Sequence, residues 1–212
     1  MDARAIAVIA KAPLAGRSKT RLTPPCSPEQ AAALATSALI DTLAAVAATP
    51  GTRRIVVLDG DPGPWLRPGF ELIAQHGAGL AERLAAAFEE IGEPALVVGM
   101  DTPQLTPRML SDALARLADA DAVLGAAPDG GYWSIGLHRA DDAVFAGVPM
   151  SDPATCTVQS ARLHALGLRT RELPGLRDVD DIADARAVAA LAPRTHFART
   201  LAALGLCEVL AA

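Results

Sequence analysis

Short apolar runs with no polar face recur along this chain, separated by polar or alanine-rich stretches. Ala5-Ile-Ala-Val-Ile-Ala10, Arg54-Ile-Val-Val-Leu58 and Ala95-Leu-Val-Val-Gly-Met100 are the clearest of them. Continuous apolarity of that length suits strands of a parallel sheet, which are buried on both faces. Weaker strand signals fall near Phe70–Ala74, at Ala122–Ala126, at Trp133–Leu137 and over residues 169–173. Helices fill the intervals. Ser27-Pro28-Glu29-Gln30 reads as a capping box with proline at the first helical position, opening a helix that runs to about Ala48. Further helices are predicted over about 80–91, about 107–118 behind the Thr106-Pro107 cap, 153–167, from Asp180 onward and about 194–210. Glycine- and proline-rich segments, 59–69 above all, are loops. Strand and helix alternate throughout, which predicts an α/β fold: a single three-layer α/β/α domain over residues 1–212 with a mostly parallel central sheet.

Composition narrows the class. A chain of 212 residues buries roughly 70% of the surface its unfolded state exposes, enough for a core without staples. Cys26, Cys156 and Cys207 are too scattered for a zinc site or a disulfide framework. The start of the chain is acidic at Asp2 and its apolar run stops at Lys11, so no signal peptide and no spanning helix are expected, and the cytoplasm is the expected compartment. A net charge of −5 argues against a nucleic-acid binder, which would carry a basic stripe. Any polyanion must be held locally, and the lysines indicate where. Lys11 and Lys19 are the only two, and both lie in the loop after the first strand. A compact ammonium suits phosphate; a general preference for arginine over lysine would leave the same count without a function.

Ligands of open α/β sheets sit at the carboxyl ends of the strands, and four unusual segments fall there. The first runs from Lys11 to Leu22. Gly16 lets its backbone amides turn toward an anion, and Lys11, Lys19 and Arg21 supply charge for a diphosphate. It is neither a Walker loop nor a G-x-G-x-x-G turn, and an ordinary solvated basic loop would look similar. The second, Gly99-Met-Asp101-Thr-Pro103, ends an apolar strand on a carboxylate that is costly to bury unpaired. Asp101 suits Mg2+ or Mn2+, which take one or two protein carboxylates plus phosphate oxygens; its other use is as a turn cap. The third, Asp178-Val-Asp180-Asp181, completes a metal site or simply favours the start of the next helix. If Asp101 and Asp180 share one ion, their oxygens must lie within about 4.2 Å, twice a metal–oxygen distance of about 2.1 Å. The fourth, Asp129-Gly130-Gly131-Tyr132-Trp133, joins glycines that permit close approach to aromatics that can wall a sugar or base. Its plainer form is a tight hairpin with Trp133 packed inside.

Taken in chain order, Lys11 to Leu22, Gly99-x-Asp101-x-Pro103, Asp129-Gly-Gly-Tyr132 and Asp178-Val-Asp180 resemble a bacterial glycosyltransferase-like family with the GT-A, or nucleotide-diphospho-sugar transferase, fold, some of whose members are placed in arsenosugar biosynthesis. Asp101-Thr-Pro103 also resembles the metal turn of molybdenum-cofactor guanylyltransferases. Lys19-Thr-Arg21-Leu22 and Asp178-Val-Asp180 resemble 2-phospho-L-lactate guanylyltransferases as well. The likeness spans about residues 5–190. It implies that Lys11, Gly16, Lys19 and Arg21 hold the nucleotide phosphates, with Asp101 the principal metal ligand and Asp180 the second. It also implies that Gln75, Gly79 and Arg83 lie near the nucleotide. The chain departs from the family at Ala81, where a glycine is expected. It departs again at Pro149-Met-Ser-Asp152, where many members carry tryptophan and small hydroxyl residues, and where the acceptor should lie.

The expected activity is metal-dependent glycosyl transfer from a nucleotide-diphosphate sugar to a small-molecule acceptor. Asp101 and Asp180 would hold the metal that neutralises the departing diphosphate, assisted by Lys19 and Arg21. Asp129 would orient or deprotonate the acceptor hydroxyl within a substrate-binding turn of Asp129, Gly130, Gly131 and Tyr132. Nucleotidyl transfer from an NTP to a phosphorylated acceptor needs nearly the same parts and releases pyrophosphate. That rival asks for more basic groups near Asp129, for which the sequence offers mainly Arg139 and Arg162. A non-catalytic nucleotide-binding domain is the third reading; loss of Asp101 or Lys19 would mark it, and both are present. The apolar residues of the last helix, Leu201, Leu204, Val209 and Leu210, suit packing on the chain's own sheet or on a partner, which leaves the oligomeric state open.

Overall fold

A computed structural model describes residues 4–92 and 94–207. Its strands are β1 (Arg4–Lys11), β2 (Thr52–Asp59), β3 (Glu71–Ala74), β4 (Ala95–Gly99), β5 (Ala122–Ala126), β6 (Tyr132–Leu137) and β7 (Thr170–Leu173). Its helices are α1 (Pro28–Ala47), α2 (Leu80–Ile91), α3 (Pro107–Ala118), α4 (Thr155–Ala165), α5 (Ile182–Leu191) and α6 (His196–Ala203). The strands form one sheet in the order β3-β2-β1-β4-β6-β5-β7. β1 pairs parallel with β2 and β4, β2 with β3, and β5 with β7. β6 alone is reversed, running antiparallel to both β4 and β5. The mostly parallel α/β architecture expected from the sequence is the one that forms. The reversal has a consequence for function: Tyr132, the first residue of β6, pairs with Ala126, the last residue of β5. The start of β6 therefore lies at the edge where the parallel strands end.

Alternation along β1 sorts its side chains between two layers. Ile6, Val8 and Ala10 join Leu39, Leu43 and Val46 of α1 and Leu110, Leu114 and Leu117 of α3. Ala5 and Ala7 join Leu84 and Phe88 of α2, with Phe145 and with Leu163 of α4. A third cluster lies outside the first layer, where α5 and α6 cover the far side of α1 through Leu34, Ala38, Val188, Phe197 and Leu201. Leu22 and Val179 are buried in that same cluster, and each such side chain contributes about 1.5–3 kcal/mol. Two segments expected to carry chemistry are thus anchored in one outer core.

Local signals set most helix ends. The Ser27 hydroxyl accepts from the Gln30 amide while the Gln30 side chain accepts from the Ser27 amide, closing the expected capping box. The Thr106 hydroxyl caps α3, and Asp181 opens α5 in a second capping box with Asp184. The 153–167 expectation shortens to Thr155–Ala165, and the 194–210 expectation ends at Ala203. α6 packs on α1 and α5 rather than on the sheet, because α1 and α3 already cover that face. The buried carboxylate of Asp41 on α1 accepts from the His196 and Phe197 amides and fixes the start of α6. Asp2, Val209 and Leu210 lie outside the described residues. α1 is long and apolar enough to cross a membrane by composition, and 56% of that stretch is buried within the protein.

Candidate functional site

The loop after β1 is bent by its own backbone. Gly16 lies at φ 74°, and the Leu14 carbonyl accepts from the Arg17 and Ser18 amides. The Ser18 hydroxyl in turn accepts from the Leu14 amide at 2.9 Å. Lys19 follows at φ 50°, in the left-handed region, a conformation that costs a non-glycine residue about 1–2 kcal/mol. A single 3₁₀ turn, Thr20–Leu22, then carries the chain to the buried Leu22 anchor. The Lys19 ammonium makes an ion pair with Asp101 Oδ2 at 2.8 Å, lies 3.6 Å from Asp180 Oδ1 and donates to the Val179 carbonyl. Arg21 reaches the other oxygen of Asp180, Nη1 to Oδ2 at 2.7 Å.

Asp101 follows β4 and is stitched to the segment 177–180. The Val179 amide donates to the Asp101 carbonyl at 3.0 Å, and the Gln104 side chain donates to the Arg177 carbonyl. With Val179 buried, Asp178 and Asp180 both remain partly exposed on either side of it, as alternation in an extended segment requires. Across from them, Asp129 accepts from the Gly131 amide at 2.8 Å. Gly130 between them lies at φ 90°, and a Cβ there would fall 2.0 Å from the Pro153 carbonyl oxygen. Only glycine fits this turn. Asp129, Asp178 and Asp180 each offer a carboxylate oxygen within 4.8 Å of the others. Burial first, then the like charges of Asp129 and Asp180, push the Asp178 carboxyl up to about 6.

Two cavities meet along this line of residues. One, of about 220 Å³, is lined by Lys11, Arg17, Ser18, Lys19, Thr20 and Arg21 on one side and Met100, Asp101 and Asp180 on the other. The second, of about 410 Å³, is lined by Arg21, Leu80, Asp129, Gly131, Tyr132, Met150, Ser151, Asp152, Pro153, Thr155, Asp178 and Asp180. Arg21 and Asp180 belong to both.

The residues nominated from the sequence therefore divide. Lys11, Lys19, Arg21, Asp101 and Asp180 converge on the smaller cavity, and Asp129, Gly131 and Tyr132 line the larger one, with Gly130 forming its turn. Gln75, Gly79 and Arg83 line neither. Gln75 Nε2 donates to the Ala10 and Val57 carbonyls, and Arg83 pairs with Asp59 at 2.9 Å, so both tie strand ends together. Gly79 is the N-cap of α2. Trp133 takes the plainer role weighed for it: its ring is buried in the α1–α3 layer and its indole N–H donates to the Pro174 carbonyl at 3.0 Å. Of the two aromatics, Tyr132 lines the larger of these two cavities and Trp133 lines neither. Arg139 and Arg162 line neither cavity; β6 is reversed, so Arg139 beyond its end lies at the opposite sheet edge, and Arg162 donates to the Ala143 carbonyl. The Asp101–Asp180 pair nominated for a metal is bridged by the Lys19 ammonium, whereas Asp180 groups with Asp129 and Asp178. Asp178 is not among the ligands that the resemblance implies, yet it belongs to this group. Its spacing of two from Asp180 across a lone valine was the available signal.

The donor set fits a hard divalent cation. Asp129, Asp178 and Asp180 are all carboxylates, the ligands that Mg2+ and Mn2+ prefer. Asp101 Oδ1 is buried with no hydrogen-bond partner, an acceptor that stands ready for a cation.

The fold can be set beside known ones. No curated protein sequence matches this chain. The crystal structure of a proposed nucleotide-diphospho-sugar transferase from Desulfovibrio desulfuricans G20 superposes with a TM-score of 0.89 at 25% identity, over 98% of this chain and 97% of that one. CMP:2-keto-3-deoxy-manno-octonic acid synthetase, solved with CTP, shares the fold with a TM-score of 0.58 at 14% identity, over 91% of this chain and 99% of that one. So does 4-diphosphocytidyl-2C-methyl-D-erythritol synthase from Anaerococcus prevotii DSM 20548, with a TM-score of 0.58 at 11% identity, over 90% of this chain and 97% of that one. The neighbours are transferases, and the fold is that of the nucleotide-diphospho-sugar transferases, as the resemblance in the sequence implied. Residues 39–152 match the model of the family described as "Uncharacterized protein conserved in bacteria (DUF2064)", and the chain belongs to that family.

Proposed function

We propose that the chain is a single transferase domain over residues 1–212 that moves a sugar from a nucleotide-diphosphate donor to a small acceptor, with Mg2+ or Mn2+ as cofactor. One observation carries the reading: two cavities of opposite charge meet at Arg21 and Asp180. The smaller has four cations, Lys11, Arg17, Lys19 and Arg21, against two carboxylates, which suits a diphosphate. The larger has four carboxylates, Asp129, Asp152, Asp178 and Asp180, against Arg21 alone. That lining favours an acceptor hydroxyl compound without phosphate over a phosphorylated one. The similarity to the Desulfovibrio protein supports the same reading.

Each residue then has a task. Lys11, Arg17 and Arg21 bind the donor's phosphates and neutralise charge on them as the glycosidic bond breaks. Asp129, fixed by the Gly131 amide, orients the acceptor hydroxyl and takes its proton. Tyr132, Met150 and Ser151 shape the acceptor side. Asp178 and Asp180, grouped with Asp129, would hold the metal, with Asp101, the ligand that the resemblance implies and whose buried Oδ1 has no partner, as a further carboxylate. The metal's charge when bound would add to that of the loop in stabilising the departing diphosphate.

Nucleotidyl transfer remains the second reading, favoured by one feature: four cations in one loop region can also hold a triphosphate. The products separate the two. Incubation with UDP-glucose, GDP-mannose, CTP or GTP and Mn2+ should release a nucleoside diphosphate from a sugar nucleotide. Release of pyrophosphate from an NTP, with sugar nucleotides untouched, would replace the first reading by the second.

A further inference from the structure

Lys19 is unusual for a lysine that binds an external phosphate. Its side chain is only 10% exposed, its backbone is left-handed, and three protein oxygens already surround its ammonium: Asp101 Oδ2, Asp180 Oδ1 and the Val179 carbonyl. Two of its three donors are thus engaged at hydrogen-bond distance, and Asp180 pairs with it at the longer 3.6 Å, all without any ligand. The two carboxylates it holds are also ones that the metal reading needs. A divalent cation placed on them would sit within a few ångströms of the ammonium, where like charges repel strongly.

We propose that the Lys19 ammonium and the divalent metal are alternative partners of the Asp101–Asp180 pair. In the nucleotide-free protein Lys19 holds both carboxylates and suppresses metal binding. A donor diphosphate in the basic cavity gives the ammonium a second anion and releases the carboxylates. The inference rests on the metal-dependent reading of this site. The anchoring supports it: Leu22 and Val179 are fixed in one outer core, so the flexible lysine stem, and not the backbone, makes the exchange. Linkage then requires that the donor raise metal affinity by the same factor as the metal raises donor affinity. Donor and metal load together, and metal alone binds weakly.

The test titrates Mn2+ alone onto nucleotide-free protein, following free Mn2+ by its electron paramagnetic resonance signal. Lys19→Met should bind Mn2+ at least about tenfold tighter than the parent. Lys19→Arg, which keeps the charge, should bind as weakly as the parent, and adding Asp101→Asn to Lys19→Met should remove the gain. Should Lys19→Met fail to fold, Lys19→Gln keeps a donor for the Val179 carbonyl and carries the same test. Equal or weaker Mn2+ binding by the uncharged variants would overturn the exchange while leaving the metal reading intact. Absence of Mn2+ binding in every protein, with and without UDP, would overturn both.

Discussion

The two cavities at the carboxyl edge of the sheet differ in how their charge is built. The basic one draws its cations from a single loop, Lys11 to Arg21, placed by one strand end and one buried leucine. The acidic one is assembled from three separate stretches: the turn before β6, the segment before α4 and the segment before α5. A diphosphate has a fixed charge and shape that one loop can meet, while an acceptor must be shaped from several sides. The difference teaches that nucleotide binding here is a local property of the sequence. Acceptor choice is a property of the fold.

Substitutions should separate the two halves. The largest effect is expected at Asp180, which both cavities share. Asp180→Asn should lower transfer by about 10³-fold, because it weakens the metal site and frees Arg21 together; the released nucleoside diphosphate measures it. Gly130→Ala should damage the acidic half alone. Its Cβ would meet the Pro153 carbonyl at 2.0 Å, and displacing that turn should cost about 10²-fold in transfer. Donor affinity by calorimetry should stay within about threefold of the parent. A comparable loss of donor affinity would join what is separated here. Arg17→Ala should do the converse, weakening donor binding about tenfold, the value of one charge-assisted hydrogen bond, with the acceptor KM unchanged.

The smallest effect is on stability. Asp178 is pushed up to about 6 by burial and by its acidic neighbours, above its ordinary value of about 3.9. The fold therefore binds that proton more tightly than the unfolded chain does. The stability this gives is fully present below about pH 4 and is lost as pH rises to about 6. Without metal, Asp178→Asn should be more stable than the parent by about 1 kcal/mol at pH 8, a figure reduced for solvent screening, and nearly equal to it near pH 4. Urea unfolding in a chelator at both values checks this, and equal stability at pH 8 would show that the acidic half carries no strain.

What could be read from residues follows the same division. β1, β4 and α1 were legible because their signals are local: unbroken apolar runs and the Ser27–Gln30 capping box. Lys11 and Lys19 were legible because two lone lysines share one loop, whereas Arg17, which lines the same cavity, is not among the residues named from the sequence. The reversal of β6 was not, since strand direction is set by pairing with β4 and β5 rather than by its own residues. That reversal carries Arg139 away from the site. Trp133 could not be assigned from its neighbours, because two adjacent residues of a strand face opposite sides and the pattern did not say which side is core. The Lys19 bridge was hidden for the same reason: it joins residues 160 or so positions apart. Gln75 and Arg83, carried over by resemblance, turn out to brace strand ends.

The most direct test is equilibrium binding of UDP-glucose, GDP-mannose and CTP to the parent and to Asp180→Asn, each with and without Mn2+. One sugar nucleotide should bind at least about tenfold tighter with Mn2+ present, and Asp180→Asn should lose that gain while keeping the metal-free affinity within a few fold. Binding that ignores the metal, or an Mn2+ effect that survives Asp180→Asn, would contradict a site joined at that residue.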